Sequence, residues 1–298
     1  MKNIIIAGAN GKLGQEIKNF LLNNYGQNVY EVDRNFNFKS LYKKITNYQD
    51  LLVDSLIINC AGETVQKHLM KTANYEYPKK LLEIGMKNKI SKFIHISSVG
   101  SFGAGRYSGK ITENSDYMKT KNYYETTKSN FDKFLQKNYA DTKICILMPS
   151  NIIFRDEKPF LNFIKILKII CPKIYKKDGW LNFIHSDGVC EIVKEIIENN
   201  ISHKKIILNY PIRYTQAASI IADSSNIRLN FFHIPYFLSL IFFKLFSLLK
   251  YFRIPKAKFV LNRIYEMDND ISFISSYEDV NKINKKFGIS YIMDNSKI

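Results

Sequence analysis

The sequence predicts an α/β fold, a doubly wound parallel sheet followed by a smaller C-terminal lobe. Three observations predict it. Short apolar runs alternate with segments of helical period through the first two-thirds of the chain, the pattern of βαβ units. A glycine-rich turn separates the first run from the first helical segment. At 298 residues, 46% of them hydrophobic, the chain has material for one large core and a smaller companion.

Taken in order, Ile4-Ile5-Ile6-Ala7 is the first strand, because a wholly apolar β-branched run suits a strand buried on both faces. A turn follows, then a helix over 13–23, and Val29-Tyr30-Glu31-Val32 forms the second strand, ending at Asp33. Leu56-Ile57-Ile58-Asn59, Phe93-Ile94-His95-Ile96 and Ile144-Cys145-Ile146-Leu147 are later buried strands, with helices over 77–87 and 122–137 between them. Past Pro149 the alternation loosens. Residues 151–180 and 212–298 are assigned to a second lobe, while 181–211 returns to the first domain with Ile206-Ile207-Leu208 as a further strand.

The turn Gly8-Ala9-Asn10-Gly11-Lys12-Leu13-Gly14 is a GxxGxxG pattern placed directly after a strand and at a helix start. Glycines there allow a tight turn, let the backbone approach a pyrophosphate and pack the helix on the strand, while the helix N-terminus favours the anion. On this reading Gly8, Asn10, Gly11, Lys12, Leu13 and Gly14 bind a dinucleotide, and residues 1–150 are a Rossmann-like domain. Asp33 closes the second strand 19 positions beyond Gly14, where a carboxylate accepts hydrogen bonds from the adenine ribose hydroxyls. That favours NAD. Arg34 follows at once and can instead meet a 2′-phosphate, which keeps NADP open, and Asp33 can equally be a plain turn residue.

The formal charge of +17 is scattered among Asn and Ile with no nucleic-acid-binding module, so nucleic acid is not an expected partner. Cys60, Cys145, Cys171 and Cys190 lie far apart and share no ligand spacing, so no metal is expected and a reducing, cytoplasmic setting is. The apolar start of the chain is too short for a signal-peptide core. Segment 231–252 is dense in Phe, Leu and Ile, and Ser239, Lys244, Ser247 and Lys250 fall within an arc of about 140° at helical spacing. It is expected to be an amphipathic helix packed in the lobe, with peripheral membrane contact as the alternative use of its apolar face.

A Tyr-x-x-x-Lys step puts a phenol and an ammonium on one face of a helix, where the cation can lower the phenol pKa. The step occurs at Tyr75/Lys79, Tyr117/Lys121, Tyr124/Lys128 and Tyr139/Lys143. Tyr124 and Lys128 alone continue into an extended apolar stripe, through Phe131 and Leu135. Ser98 stands where the Phe93-Ile94-His95-Ile96 strand runs out at the carboxyl edge of the sheet, the edge at which ligands bind in open α/β folds. There its hydroxyl can orient a substrate oxygen while Tyr124 exchanges the proton; as a cap or loop serine it would need no substrate.

Gly8/Gly11/Gly14, Asp33, Asn59-Cys60-Ala61-Gly62, Ser98 with Phe102-Gly103, and Tyr124/Lys128 stand in the order and approximate spacing of the extended short-chain dehydrogenases, which the chain resembles over residues 1–200. That group comprises nucleotide-sugar epimerases, dehydratases and ketoreductases. Pro149-Ser150-Asn151-Ile152 and 182–189 are similar to two further segments of the family, with Met148, Phe154 and Gly188 departing from its pattern. The resemblance implies a catalytic set of Ser98, Tyr124 and Lys128. It adds Asn59, Ala61, Gly62, Tyr124, Lys128 and Pro149 to the cofactor contacts, and places Ser98, Gly100 and Asn151 at the substrate. It further implies a substrate-binding C-terminal lobe and a homodimer.

Within that resemblance, Val99-Gly100 after Ser98 offers neither the Asp-Glu pair of 4,6-dehydratases nor the cysteine of some epimerising reductases. What remains is hydride chemistry at one carbon, by a 4-ketoreductase or 4-epimerase acting on a nucleotide-linked sugar for surface polysaccharide. Two alternatives stand beside it: a membrane-associated hydroxysteroid- or lipid-type dehydrogenase that uses 231–252, and a non-catalytic NAD(P)-binding scaffold.

Overall fold

The structure, a computed structural model, describes residues 3–40, 47–103, 109–139, 143–154, 171–174, 178–224, 231–235, 237–238, 241 and 270–295. Its strands are β1 (Ile4–Ala7), β2 (Val29–Val32), β3 (Phe38–Lys39), β4 (Leu56–Asn59), β5 (Lys92–Ile96), β6 (Gly109–Ile111) and β7 (Ile144–Pro149). They continue with β8 (Asn151–Ile153), β9 (Cys171–Ile174), β10 (Trp180–His185), β11 (Lys205–Leu208), β12 (Tyr210–Arg213), β13 (Phe231–Ile234) and β14 (Ile271–Phe273). The helices are α1 (Lys12–Tyr25), α2 (Tyr48–Leu52), α3 (Lys67–Lys71), α4 (Tyr77–Lys87) and α5 (Tyr123–Asn138). After them come α6 (Ser186–Ile197), α7 (Tyr214–Ser224), α8 (Glu278–Lys286) and α9 (Ile289–Asn295).

Seven strands form one sheet in the order β11-β7-β5-β4-β1-β2-β3. Every neighbouring pair is parallel except β2 with β3. The fold is α/β and Rossmann-like. Because both faces are covered, the strands read as unbroken apolar runs whose alternate side chains enter opposite layers. Ile4, Ile6, Leu56, Ile58 and Ile94 pack with Ile17 and Leu21 of α1 and Val189 and Val193 of α6. Ile5, Ile57 and Phe93 pack with Leu81 and Leu82 of α4 and Phe131 and Leu135 of α5. The strand order reverses between β1 and β4, so the loops leaving their carboxyl ends border a crevice where a ligand can enter.

A smaller buried cluster lies beside this core, formed by Leu181 and Phe183 of β10, Ile212 of β12, Ala217, Ala218 and Ile221 of α7, and Ile292 of α9. The segment beyond 270, expected in the lobe, divides its contacts. β14 pairs with β6, and Val280 and Phe287 enter the layer of α1 and α6. Polar side chains pin it there. Asn182 Oδ1 accepts from Phe273 N at 3.2 Å and from Asn209 Nδ2 at 3.0 Å, while Asn182 Nδ2 donates to Ile271 O at 2.8 Å. The buried Glu113 carboxylate accepts from Ile207 N, Ser275 Oγ and Ser276 N at 2.9, 2.6 and 2.7 Å.

The helix expected over 231–252 needs correction at its start. Phe231–Ile234 is a strand, paired in parallel with β9. The reason is Pro235, which disfavours helical backbone at Ile234 and opens a turn closed by Leu238 N on Pro235 O at 3.0 Å. Phe237, Leu238 and Ile241 are helical, with Phe237 and Ile241 exposed. Ser239, Lys244, Ser247 and Lys250 lie outside the described residues. No helix among the described residues is long and apolar enough to cross a membrane.

Candidate active site

The crevice at the strand reversal is a cavity of about 710 Å³. Its walls come from the turn after β1 (Gly8, Asn10, Gly11), the end of β2 (Asp33, Arg34), the loop after β4 (Cys60, Ala61, Gly62) and the helical run from Leu69 to Lys80. The glycine turn is built by close approach. Gly8 has φ +77°, and a Cβ on it would lie 2.5 Å from Ala61 N. A Cβ on Gly14 would lie 2.1 Å from Gly8 O, so Gly14 supports the turn from beneath. Gly11 caps α1 with no side-chain hydrogen bond, and the first turn carries no acidic residue, as an anion site at a helix N-terminus requires. Lys12 sets its ammonium over the Phe154 ring, 4.2 Å from the centroid.

Asp33 and Arg34 both face this cavity. The Asp33 carboxylate is also the centre of its own turn, with Oδ1 accepting from Asn35 N and Asn37 N at 2.8 and 3.0 Å and Oδ2 from Asn37 Nδ2 at 3.0 Å. The Asn37 backbone and side-chain bonds hold its pKa below the ordinary value. Phe36, at φ 61°, lays its ring on Tyr77 with centroids 5.2 Å apart, giving the cavity an aromatic wall.

Asn59 does not face the cavity. Its side chain is fully buried, accepting from Ala61 N at 3.2 Å and meeting His95 Nδ1 at 2.9 Å. It shapes the Ala61–Gly62 loop from behind. Pro149 ends β7 at the same edge of the sheet and is buried. Asn151 donates its side-chain amide to Asn182 O at 3.0 Å, bracing β8 against β10.

Ser98 stands by Tyr124, and the Lys128 ammonium lies beside Gly62. Ser98 caps the 3-10 turn Val99–Phe102, its Oγ accepting from Gly100 N at 3.1 Å. Gly103 ends that turn at φ +73° under the Met118 and Lys119 carbonyls, while Phe102 stacks on Tyr117; this seats the approach to α5. Asn122 and Glu125 cap α5 reciprocally, Asn122 Oδ1 accepting from Glu125 N at 2.9 Å and Glu125 Oε2 from Lys121 N at 2.8 Å. Burial raises the Tyr124 phenol above its ordinary pKa, a hydrogen bond with Ser98 lowers it, and the charges of Asp132 and Glu125 raise it. Lys128 is 4% exposed and donates to Ile96 O at 2.8 Å; burial lowers its pKa to about 8 against the upward pull of Asp132 and Cys60. In the competing steps, Tyr75, Tyr117 and Tyr139 are packing rings, set against Phe131 and Phe134, Phe102, and Phe134 in turn.

Three buried polar residues went unassigned in the sequence. Asn74 lies in a π-helical stretch, Thr72–Glu76, and joins Glu63 N and O to Thr127 Oγ1 at 2.8–3.0 Å, beside Gly62 and Lys128 Nζ. No periodicity announces it. Asp132 and His95 form a second group behind Lys128, and Asp132 carried a signal, since it follows Lys128 by one helical turn on the buried side of α5. Among the described residues no group of three or more His, Cys, Asp or Glu is placed to hold a metal ion.

Solved structures of similar fold include a dTDP-4-dehydrorhamnose reductase from Yersinia enterocolitica, 13% identical, covering 99% of each chain at a TM-score of 0.67. A UDP-glucuronic acid 4-epimerase from Bacillus cereus in complex with NAD is 16% identical over 99% of this chain and 95% of that one, with a TM-score of 0.63. A dTDP-4-dehydrorhamnose reductase from Bacillus anthracis in complex with NADP is 18% identical over 78% and 84%, at 0.58. At such identities the likeness is one of fold. No curated protein sequence matches the chain. The family model does, across residues 4–208, from the first strand of the sheet to its last, and the chain belongs to the NAD dependent epimerase/dehydratase family.

Proposed function

We propose that the protein is an NAD(P)-dependent oxidoreductase or epimerase that acts at one carbon of a nucleotide-linked sugar, as a 4-ketoreductase or 4-epimerase. What supports the reading is the pairing of Ser98 with Tyr124 and the Lys128 ammonium beside Gly62, a residue that also lines a cavity walled by the glycine turn. The cavity fits a dinucleotide, because Gly8 and Gly14 leave backbone where a Cβ would intrude and the N-terminus of α1 is left to an anion. A bound nicotinamide would supply or remove the hydride.

The chain's own groups handle the proton. Ser98 donates to the substrate oxygen, Tyr124 gives its phenolic proton in reduction or takes one in oxidation, and Lys128 holds positive charge beside Gly62. No second acid or base stands at Val99 or Gly100. Glu125 packs against Gly100, but its oxygens cap α5, accepting from Lys121 N and Asn122 Nδ2. One hydride and one proton relay are what these residues support, which favours ketoreduction or epimerisation over dehydration.

NAD is the first reading for the cofactor, since Asp33 stays ionised in its turn and opposes a 2′-phosphate. Arg34, Lys39 and Lys80 on the same wall favour NADP as the second. A setting in surface-polysaccharide synthesis in the cytoplasm, a homodimer, and Asn151 and Pro149 as ligand contacts belong to the same proposal. The test is NADH and NADPH oxidation scanned against UDP- and dTDP-4-keto sugars. Tyr124→Phe should cost 10²-fold or more in turnover while still binding dinucleotide. Equal rates for the two proteins would overturn the catalytic assignment.

A further inference from the structure

Around Lys128 runs a buried polar line, open at one step between His95 Nε2 and Asp132 Oδ1, that the proton chemistry above does not use. Ala61 N donates to Asn59 Oδ1, which orients the Asn59 amide so that its Nδ2 donates to His95 Nδ1 at 2.9 Å. His95 therefore carries its proton on Nε2, and that atom faces Asp132 Oδ1 at 3.8 Å. On the far side Asp132 Oδ2 accepts from Ser97 Oγ at 2.6 Å. Both ends of the line adjoin Lys128, through Ala61–Gly62 at one end and Ile96–Ser97 at the other. His95 and Asp132 are each 0% exposed.

An ammonium buried as deeply as Lys128 is costly without a counter-charge, and a buried carboxylate is costly without a cation. We propose that Asp132 is a positioning residue of the active site, a buried counter-ion that keeps Lys128 charged and is itself held by Ser97 and backed by the neutral imidazole of His95. The functional weight of this inference rests on the reading of Lys128 as the cation beside substrate and cofactor.

The charges around Asp132 fit the role. From its own helix it faces Lys128 and Tyr124, from β5 His95, from just beyond that strand Ser97, and from the β11 edge Lys205; Ser101 and Tyr117 border it from the chain between. Burial raises Asp132 to about 6, opposed by Ser97, Ser101, Lys128 and Lys205. Burial with the Lys128 charge holds His95 well below its ordinary value, so the imidazole does not compete as a cation. Carboxylate and ammonium thus coexist between about pH 6 and about pH 8.

Asp132→Asn keeps the shape and can still accept from Ser97, so a packing role alone predicts no change in how Lys128 titrates. The experiment follows the ¹³Cε signals of labelled lysines in the ligand-free full chain against pH. In the wild type one signal should titrate near pH 8, apart from the rest, and be missing in Lys128→Met. In Asp132→Asn its midpoint should fall by about one pH unit or more. Ser97→Ala, which removes only the hydrogen bond, should move it less in the same direction. At pH 8 a one-unit fall cuts the charged fraction from about a half to about a tenth, so NADH or NADPH should bind about fivefold more weakly there and close to normally at pH 6. A lysine midpoint unmoved in folded Asp132→Asn and Ser97→Ala overturns the inference. Failure of the wild type to bind either dinucleotide would instead overturn the proposed function, leaving the titration to judge the counter-ion.

Discussion

Gly14→Ala tests whether the glycine turn is shaped by close packing. The added methyl would sit 2.1 Å from Gly8 O, 2.9 Å from Gly8 C and 3.0 Å from Ala9 Cα. All three are main-chain atoms or fixed to them, so no rotamer change relieves the contact. Contacts below 3.0 Å are essentially never made by real Cβ atoms, so α1 and the turn must part by at least about 0.9 Å. Overpacking of this kind costs about 1–3 kcal/mol, less about 0.5–1 kcal/mol gained because alanine suits a helix better than glycine. Net destabilisation should be up to about 2.5 kcal/mol, read as a lower urea midpoint at unchanged slope. Dinucleotide affinity should fall tenfold or more, because the parted turn no longer presents the helix N-terminus and the Gly8 backbone to one pyrophosphate. Gly11→Ala, whose Cβ meets only Gly8 O at 3.3 Å, should be milder on both counts. Gly14→Ala with wild-type midpoint and wild-type affinity would refute the packing argument and, with it, the account of why Gly14 is glycine.

Three further outcomes follow from the same geometry. Lys128 has its pKa lowered to about 8, so its ammonium is present below that pH and lost above it; dinucleotide affinity should decline as pH rises through about 8, and a wild-type limb at pH 10 would assign the cation elsewhere. Asp33→Asn should shift the NADH/NADPH affinity ratio severalfold toward NADPH and Arg34→Ala toward NADH, by calorimetry; an unmoved ratio in both would remove this wall as the selector. Glu113→Gln replaces one of two accepting oxygens with an N–H₂ that meets either Ser276 N or the Ile207 N and Ser275 Oγ pair, and should cost about 1–3 kcal/mol in urea denaturation, with a null result showing that the remaining oxygen suffices.

Much of the sheet was legible because its strands are buried on both faces and so appear as uninterrupted apolar runs, as in Ile4–Ala7 and Leu56–Asn59. Tyr124 and Lys128 were legible through the stripe that continues to Phe131 and Leu135, all of it inside α5. Harder to read were side chains whose direction depends on a tertiary neighbour. Asn59 has the right position for a cofactor contact, yet His95 two strand-residues from Ser97 draws its amide inward. Asp33 lines the cavity and is also the hub of a turn with Asn35 and Asn37, the second of the two readings made of it. Asn74 depends on a π-helical offset that leaves no trace in composition, and Phe231–Ile234 was absorbed into a helical pattern that Pro235 interrupts. For Asn59 and Asp33 local pattern gave the backbone position, and packing decided where the polar group pointed.

The polar pins on the segment beyond 270 bear on how the chain comes together during synthesis. The glycine turn, Ser98, Tyr124 and Lys128 are all made before residue 129, yet Asn182, Asn209 and Glu113 obtain acceptors and donors from Ile271, Phe273, Ser275 and Ser276 only once that much later segment is made. Until then these groups keep only part of their partners, Glu113 with Ile207 N and Asn182 with Asn209, and lack the rest of their cover. A ribosome-stalled chain ending before residue 271 should therefore remain sensitive to protease along β6 and β11, and acquire resistance when residues 271–276 have cleared the exit tunnel.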